Sequence, residues 1–437
     1  MSEETDRRLD RQAIGARLAA VRERTKLLVS VLDWPTLRSQ QIPILSPMVW
    51  DLGHIGHFEE EWLAQRLTGA EALHDGFAAM FDPLQNPRPT RESLPLPNEE
   101  QLGDYLDRVR RRSLRLLEEV ATAKAPDLLR HGLVYELVAE HEEQHQETLL
   151  QAMQVLCGPP YPAPQRRSPP AALERPEGMA LVPAGPFEMG CGADGFAYDN
   201  ERPRHQRELD GFEIDRAPTT HGDYLKFVEA GGYRSSRHWS EPGWQWCRHH
   251  GAEAPRNWTR REDGWRVRFL DRELPLPEEL PVVHICYWEA EAYAAFAGKR
   301  LPTEAEWEKA ALWDPGAGRA RLYPWGDEPP QPHRANLDQL LFAPAPIGAY
   351  PQGVSAYGIH QMVGDIWEWT SSDFVAYPGF AAFPYREYSE IFFGDEYKVL
   401  RGGSWATRPA VARGTFRNWD YPIRRQIFAG LRCARDA

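Results

Sequence analysis

The chain has 437 residues, 42% hydrophobic and 26% charged, with a formal net charge of −13 at pH 7, which suits a globular protein of two or three domains. The acidic balance, with no basic run and no zinc-knuckle spacing, argues against nucleic-acid binding, and no segment approaches the roughly 18 consecutive apolar residues of a membrane span. The opening MSEETDRRLDRQ lacks the apolar core of a secretory signal, and Cys157, Cys191, Cys247, Cys286 and Cys433 are too scattered for a disulfide framework or a CxxC metal site, so a reducing cytoplasm is the expected location.

Residues 1–157 read as helices. Asp10–Leu32 carries Ile14, Leu18, Val21 and Leu28 at helical spacing. Ser46-Pro47 then offers an N-cap and a proline for the first turn, ahead of VWDLGHIGHFEEEWLAQRL. A third helix is expected near Glu99–Ala121. A fourth is expected from Leu133 to Leu156, stopped by Gly158-Pro159-Pro160. Four amphipathic helices predict a four-helix bundle. Residues 158–176 are Pro-rich and aperiodic, as in an interdomain linker. From 177 to 437, short strand-like runs (MALVPAG, PFEMG, VLRGGSW) alternate with Gly/Pro turns. One clear helix is expected at Tyr287–Phe296 and a short one from Glu304. This is an α+β pattern. The 16 Trp and 16 Tyr fit aromatic packing in a loop-rich domain, or pockets for cationic ligands.

The fourth helix carries the chemistry. Its apolar stripe runs through Val134, Leu137, Val138, Leu149, Met153 and Leu156, and His141 and His145 fill its missing stations. Two imidazoles one turn apart on an inward face can grip one metal ion. Glu142, Glu143 and Glu147 flank the pair as candidate second-layer carboxylates. A third ligand would come from WDLGHIGHFEEEW, where either His54 or His57 is available. Gly53 and Gly56 each cost a helix ~1 kcal/mol relative to Ala, which points to close approach by a neighbour at both positions. The glutamates at 59–61 and 142–143 are expected on solvated helix faces. Imidazole ligands alone do not separate zinc from iron, and no H-E-x-x-H motif marks a zinc hydrolase.

SPMVWDLGHIGHFEEEWL, HEEQHQETLLQ and the second domain together resemble the ergothioneine sulfoxide synthases. The second domain carries GPFEMG at 185–190, NERPRH at 200–205, RLPTEAEWE at 300–308, YPWGD at 323–327, GDIWEWTSS at 364–372 and RGGSW at 401–405. The tail FRNWDYPIRRQIFAGLRCA follows at 416–434. The resemblance covers nearly the whole chain. It implies a DinB-like four-helix bundle followed by a formylglycine-generating-enzyme-like domain of C-type-lectin-like α+β fold. It further implies Fe(II) on His54, His141 and His145, with hercynine, O₂ and a thiol donor as substrates. Arg88 and Arg91 match the arginines that bind the glutamyl carboxylates of γ-glutamylcysteine, and Asp420 the aspartate that meets its amine. Gln144, Asn418 and Trp419 match positions that hold hercynine. Of the pair Tyr385 and Tyr388, the resemblance gives Tyr385 the role of proton donor and leaves Tyr388 a binding role. Gly53 stands where the family usually has Ala, and His57 where the mycobacterial type tends to carry Gln.

Four other classes compete, one of them a helical DinB-type thiol transferase on a different metal, which would explain residues 1–157 but leave the second domain idle. The related selenoneine synthases share the bundle, the iron and hercynine but take a selenosugar, a selenol donor in place of the thiol. A formylglycine-generating enzyme needs paired reactive cysteines near the C-terminus, where only Cys433 stands. A non-catalytic lectin-like binding protein would need no iron.

Overall fold

A computed structural model describes residues 10–119, 128–129, 132–156, 161–164, 166–172 and 175–437. Cys157, the Gly158-Pro159-Pro160 stop and the last residues of the third expected helix, at 120–121, lie outside the described residues. The chain divides into two compact units, Met1–Pro164 and Gln165–Ala437. In the Pro-rich segment, the buried Tyr161 donates its hydroxyl to the Leu28 carbonyl of the first unit. Arg166 pairs with Asp271, and the Arg167 amide donates to the Leu340 carbonyl of the second.

The N-terminal unit is a helical bundle of the DinB type. Its elements are α1 (Arg11–Val29), α2 (Trp34–Arg38), α3 (Met48–Glu60), α4 (Phe77–Met80), α5 (Glu99–Glu118) and α6 (Leu133–Val155). Helix α1 packs on α6, and α3 packs on α5 and α6. The starts of α1 and α5 follow from side chains that satisfy orphan amides. Asp10 accepts from the Ala13 amide, and Asn98 and Gln101 form a reciprocal capping box. Helix α3 begins differently from expectation. Pro47, not Ser46, is its cap residue and makes no side-chain cap bond. The Ser46 hydroxyl instead accepts from Arg91 Nη1 at 2.6 Å. Beyond Glu60 the helix widens into a π-helical stretch, Glu61–Arg66.

Four of the five glutamates expected in solvent are buried, and Glu61 is half-buried. Glu59 and Glu60 of α3 and Glu142 and Glu143 of α6 are at most 2% exposed. Arg22 of α1 bridges Glu59 (2.9 Å) and Glu142 (2.8 Å), and Arg110 of α5 meets the same two at 2.8 and 3.3 Å. Arg17 forks onto Glu143 at 3.0 and 3.1 Å, and Tyr105 donates to Glu60. Helical spacing alone cannot distinguish a solvated carboxylate face from one facing arginines on neighbouring helices, which is why the sequence misled here. Burial works against charge on Arg22 and on Glu59, but the opposing partners outweigh it, holding Arg22 above and Glu59 below their ordinary ranges.

The C-terminal unit mixes helices and short sheets, as the formylglycine-generating-enzyme-like fold requires. Strands β1 (Met179–Val182) and β2 (Gly185–Met189) precede β3 (His205–Leu209) and β4 (Phe212–Asp215). Helices α7 (His221–Glu229) and α8 (Glu241–His250) follow; the apolar periodicity of neither stood out in the sequence. A meander of β5 (Trp258–Arg261), β6 (Gly264–Phe269) and β7 (Arg272–Pro275) leads to α9 (Tyr287–Phe296) and α10 (Glu304–Leu312). Then come β8 (Trp313–Asp314), β9 (Arg319–Ala320), β10 (Trp367–Phe374), β11 (Gly394–Arg401), β12 (Asn418–Asp420), β13 (Ala429–Gly430) and β14 (Ala434–Asp436). The largest sheet runs β12-β11-β10-β13, parallel only between β10 and β13. The sheet β1-β4-β14 joins the two ends of this unit. Several motif tryptophans serve the core: Trp307, Trp369 and Trp405 are at most 1% exposed. Glu304 of α10 meets Arg401 at 2.8 Å and Arg417 at 2.7 Å inside that core.

Removing one member of a buried charge cluster strands the others. Glu59→Gln is expected to cost about 3–5 kcal/mol of unfolding free energy, read by denaturant titration. A cost below about 1 kcal/mol, the range of exposed pairs, would mean that Arg22 and Arg110 stay solvated.

Candidate metal centre

Helices α3 and α6 bring three imidazoles together. The ligand atoms of His54, His141 and His145 all lie within 4.8 Å of one another, and His54 Nε2 stands 3.2 Å from His141 Nε2. Two nitrogens bound ~2.1 Å from one ion at near-right angles stand about 3 Å apart, so the donor set fits a single ion with open positions. His54 Nδ1 lies 2.8 Å from the Phe81 carbonyl. Because a carbonyl only accepts, Nδ1 carries the proton and Nε2 keeps its lone pair for a metal. His145 Nδ1 stands 3.3 Å from Asp51 Oδ1 without the alignment of a hydrogen bond, which makes Asp51 the carboxylate beside this ring. The expected second-layer role of Glu142 and Glu143 therefore falls to Asp51, one helical turn before His54; those glutamates are taken by arginines.

Aromatic rings hold the ligands in plane. The His54 ring stacks on Trp50 (centroids 4.9 Å, 12°), and His141 on Phe58 (3.7 Å, 12°). Both partners sit four residues from His54, so the i, i+4 rule that pairs the histidines also finds them. The two glycines are explained by their neighbours. A Cβ on Gly53 would lie 2.2 Å from the Phe81 ring, and one on Gly56 2.6 Å from Leu106. Gly53 thus makes room for the residue whose carbonyl orients His54.

His57 is not one of the three clustered ligands: its ring points along α3, with Nε2 4.0 Å from Glu61. Arg91 is buried, its Cζ 3.4 Å over the Trp50 ring that backs His54, with Nε donated to the Asn86 carbonyl. Burial pushes its pKa down to about 10, opposed by Asp51 and reinforced by Arg88. Arg88 is exposed. Gln144, half-buried between the two α6 ligands, donates to the Glu140 carbonyl.

In the C-terminal unit a second group of expected residues gathers. Tyr388 stands 6.1 Å from Tyr385 and 5.8 Å, edge-on, from Trp419 (ring centroids). One face of Trp419 lies on Phe374 at 4.1 Å. Asn418, Trp419 and Asp420 form β12 in register with Leu400, Val399 and Lys398. Asp420 also meets Arg424 at 3.4 Å.

The model of the sulfatase-modifying factor enzyme 1-like domain matches residues 164–437, and that of the DinB superfamily residues 17–149. A hercynine oxygenase of Mycobacterium tuberculosis is 44% identical over 432 residues, spanning 97% of this chain and 99% of its own. One from Mycolicibacterium thermoresistibile is 44% identical over 437 residues, spanning 98% of this chain and 95% of its own. The chain belongs to the hercynine oxygenase family.

In this family member burial favours the neutral form of two of the three candidate ligands, His54 and His141. His54 lies well below the ordinary histidine value because of burial and then the neighbouring His145; His141 does so because of burial, His145 and His54. Their folded pKa values are depressed, so the unfolded chain binds more protons between those values and the unfolded one. Stability of the metal-free protein is therefore expected to fall as pH drops below about 6.5, with a shallower fall in His141→Leu. A midpoint of thermal unfolding independent of pH across that range would contradict buried neutral rings. Gly53→Ala is expected to displace Phe81 and weaken divalent-metal affinity by about 10–100-fold, measured by chelator competition. Unchanged affinity would remove the Phe81 carbonyl from the orientation of His54.

Proposed function

We propose that this protein is an O₂-dependent, non-haem Fe(II) enzyme that joins hercynine to γ-glutamylcysteine as a sulfoxide. The observation that carries the proposal is the three-imidazole cluster of His54, His141 and His145, whose ligand atoms all lie within 4.8 Å of one another, in a chain related end to end to hercynine oxygenases. A ferrous ion held there supplies O₂ reduction coupled to sulfur oxidation. The stoichiometry closes. A thiol S–H and an imidazole C–H are lost and a C–S bond forms. One oxygen atom ends on sulfur, and the other leaves as water with the two hydrogens.

The chain's own residues divide the remaining work. The Phe81 carbonyl holds the Nδ1 proton of His54 and keeps its Nε2 for the ion, and the Asp51 carboxylate stands 3.3 Å from His145 Nδ1. Tyr385 supplies a proton in the oxidative step, which directs it toward coupling instead of thiol oxidation alone. Arg88 offers its whole fork to a donor carboxylate. Arg91 has its Nε hydrogen and one Nη1 hydrogen committed to Asn86 and Ser46, which leaves Nη2 as the nitrogen with both of its hydrogens to offer. Asp420 receives the donor's ammonium. Gln144, Tyr388, Asn418 and Trp419 hold hercynine, with Trp419 suited to its quaternary ammonium.

Aerobic reactions of Fe(II)-reconstituted protein with hercynine and, separately, γ-glutamylcysteine, cysteine or a selenosugar test the reading by product mass. A hercynyl sulfoxide from γ-glutamylcysteine is expected. A selenium adduct alone would move the donor to a selenosugar, and no hercynine adduct from any donor would overturn the function. Tyr385→Phe is expected to divert turnover to oxidised thiol; normal coupling in that variant would take the proton-donor role from Tyr385.

A further inference from the structure

The stretch Tyr198–Glu201, which includes the start of the NERPRH motif, has no part in the chemistry above. Yet it is buried throughout: Tyr198, Asp199, Asn200 and Glu201 are at most 5% exposed. Its side chains reach the two segments that carry Tyr385, Tyr388 and Asn418–Asp420. Asp199 Oδ1 accepts from the Ser389 hydroxyl at 2.5 Å, and Asp199 Oδ2 from the Phe383 amide at 3.2 Å. One carboxylate thus ties down both ends of the short segment that contains Tyr385 and Tyr388. Asn200 Nδ2 donates to the same Ser389 hydroxyl at 2.9 Å. The Tyr198 ring lies flat on Tyr388, with centroids 4.1 Å apart and planes 11° apart.

The other side of the stretch grips the chain before β12. Arg417 Nη1 donates to the Asn200 carbonyl at 2.9 Å. Glu201 accepts from Arg413 at 2.9 Å and from the Thr415 hydroxyl at 2.6 Å. Burial works against charge on Glu201, but Arg413 and the hydrogen bonds hold its pKa below the ordinary glutamate range. The 383–389 segment has little burial of its own to hold it: between Phe383 and Tyr388 every residue is half-buried or exposed, and only Ser389, the anchored residue, is fully enclosed. A surface segment of this kind takes its geometry from its anchors.

We infer that Asp199, through Ser389 and the Phe383 amide, is a positioning residue that fixes the Tyr385 phenol for coupling. This rests on the function proposed above for Tyr385. A misplaced phenol delivers its proton less often per turnover. Loss of the anchor should therefore change the ratio of products, whereas loss of folded enzyme lowers both products together.

The test compares Asp199→Asn and Ser389→Ala with wild type and Tyr385→Phe, all as Fe(II)-loaded full-length protein with hercynine and γ-glutamylcysteine. Three quantities are read: the ratio of hercynyl sulfoxide to oxidised thiol, iron content, and amide hydrogen exchange across 383–389. Each anchor variant is expected to keep its iron, exchange faster across 383–389, and lose about tenfold in the product ratio, the scale of one charge-assisted hydrogen bond. That would be a partial copy of Tyr385→Phe. Wild-type ratio and wild-type exchange in both variants would overturn the inference. So would faster exchange with an unchanged ratio, which would make the anchor structural only. If Asp199→Asn fails to fold, Ser389→Ala decides alone. If wild type forms no sulfoxide, the proposed function fails, and with no ratio to read the positioning role falls with it; faster exchange would then show only that Asp199 anchors the segment.

Discussion

The N-terminal unit depends on a cluster of charges where solvent is absent. Arg22 and Arg110 share Glu59 and Glu142, and each of the four side chains comes from a different helix: α1, α5, α3 and α6. Apolar contacts tolerate a helix sliding by a fraction of a turn; a shared set of forked ion pairs does not, because each displaced oxygen leaves a buried charge unmatched. Glu59 lies five residues beyond His54, and Glu142 is the immediate neighbour of His141. The geometry that satisfies the arginines therefore sets the register of the two helices that carry the candidate metal ligands.

On that frame the centre needs little more. Trp50 and Phe58 stack on the rings of His54 and His141, the Phe81 carbonyl leaves His54 Nε2 as the free donor nitrogen, and Asp51 stands beside His145. Burial keeps His54 and His141 neutral, the form a metal requires. The same burial makes the metal-free rings a liability at low pH, so metal binding and acid stability draw on one set of groups. The C-terminal unit follows a parallel logic: Glu304, shared by Arg401 and Arg417, anchors its core, and Asp199 and Glu201 anchor the segments that carry the expected substrate residues.

Much of this was legible before any coordinates. The i, i+4 pair His141/His145 in an apolar stripe, and two costly glycines beside His54, placed the centre on its two helices. Gly53 and Gly56 proved to be the sites of close approach their cost implied. What stayed hidden depended on partners distant in sequence. Glu59 and Glu142 look solvated until Arg22 and Arg110 are seen opposite them. Ser46 looks like a cap until Arg91, 45 residues away, takes its hydroxyl. Asp51 stayed hidden because it lies on α3, far in sequence from the His145 ring it stands beside. Helices α7 and α8 were missed because short helices in an aromatic-rich domain carry no long periodic stripe.

The most direct test of the account is anaerobic Fe(II) titration of the metal-free protein, read by iron content and chelator competition, beside His54→Ala, His57→Ala, His141→Ala and His145→Ala. The account predicts one tightly held ion per chain in the wild type and in His57→Ala, and loss of tight binding in each of the other three. Tight stoichiometric binding that survives loss of His54, His141 or His145, or that vanishes only with His57, would contradict it.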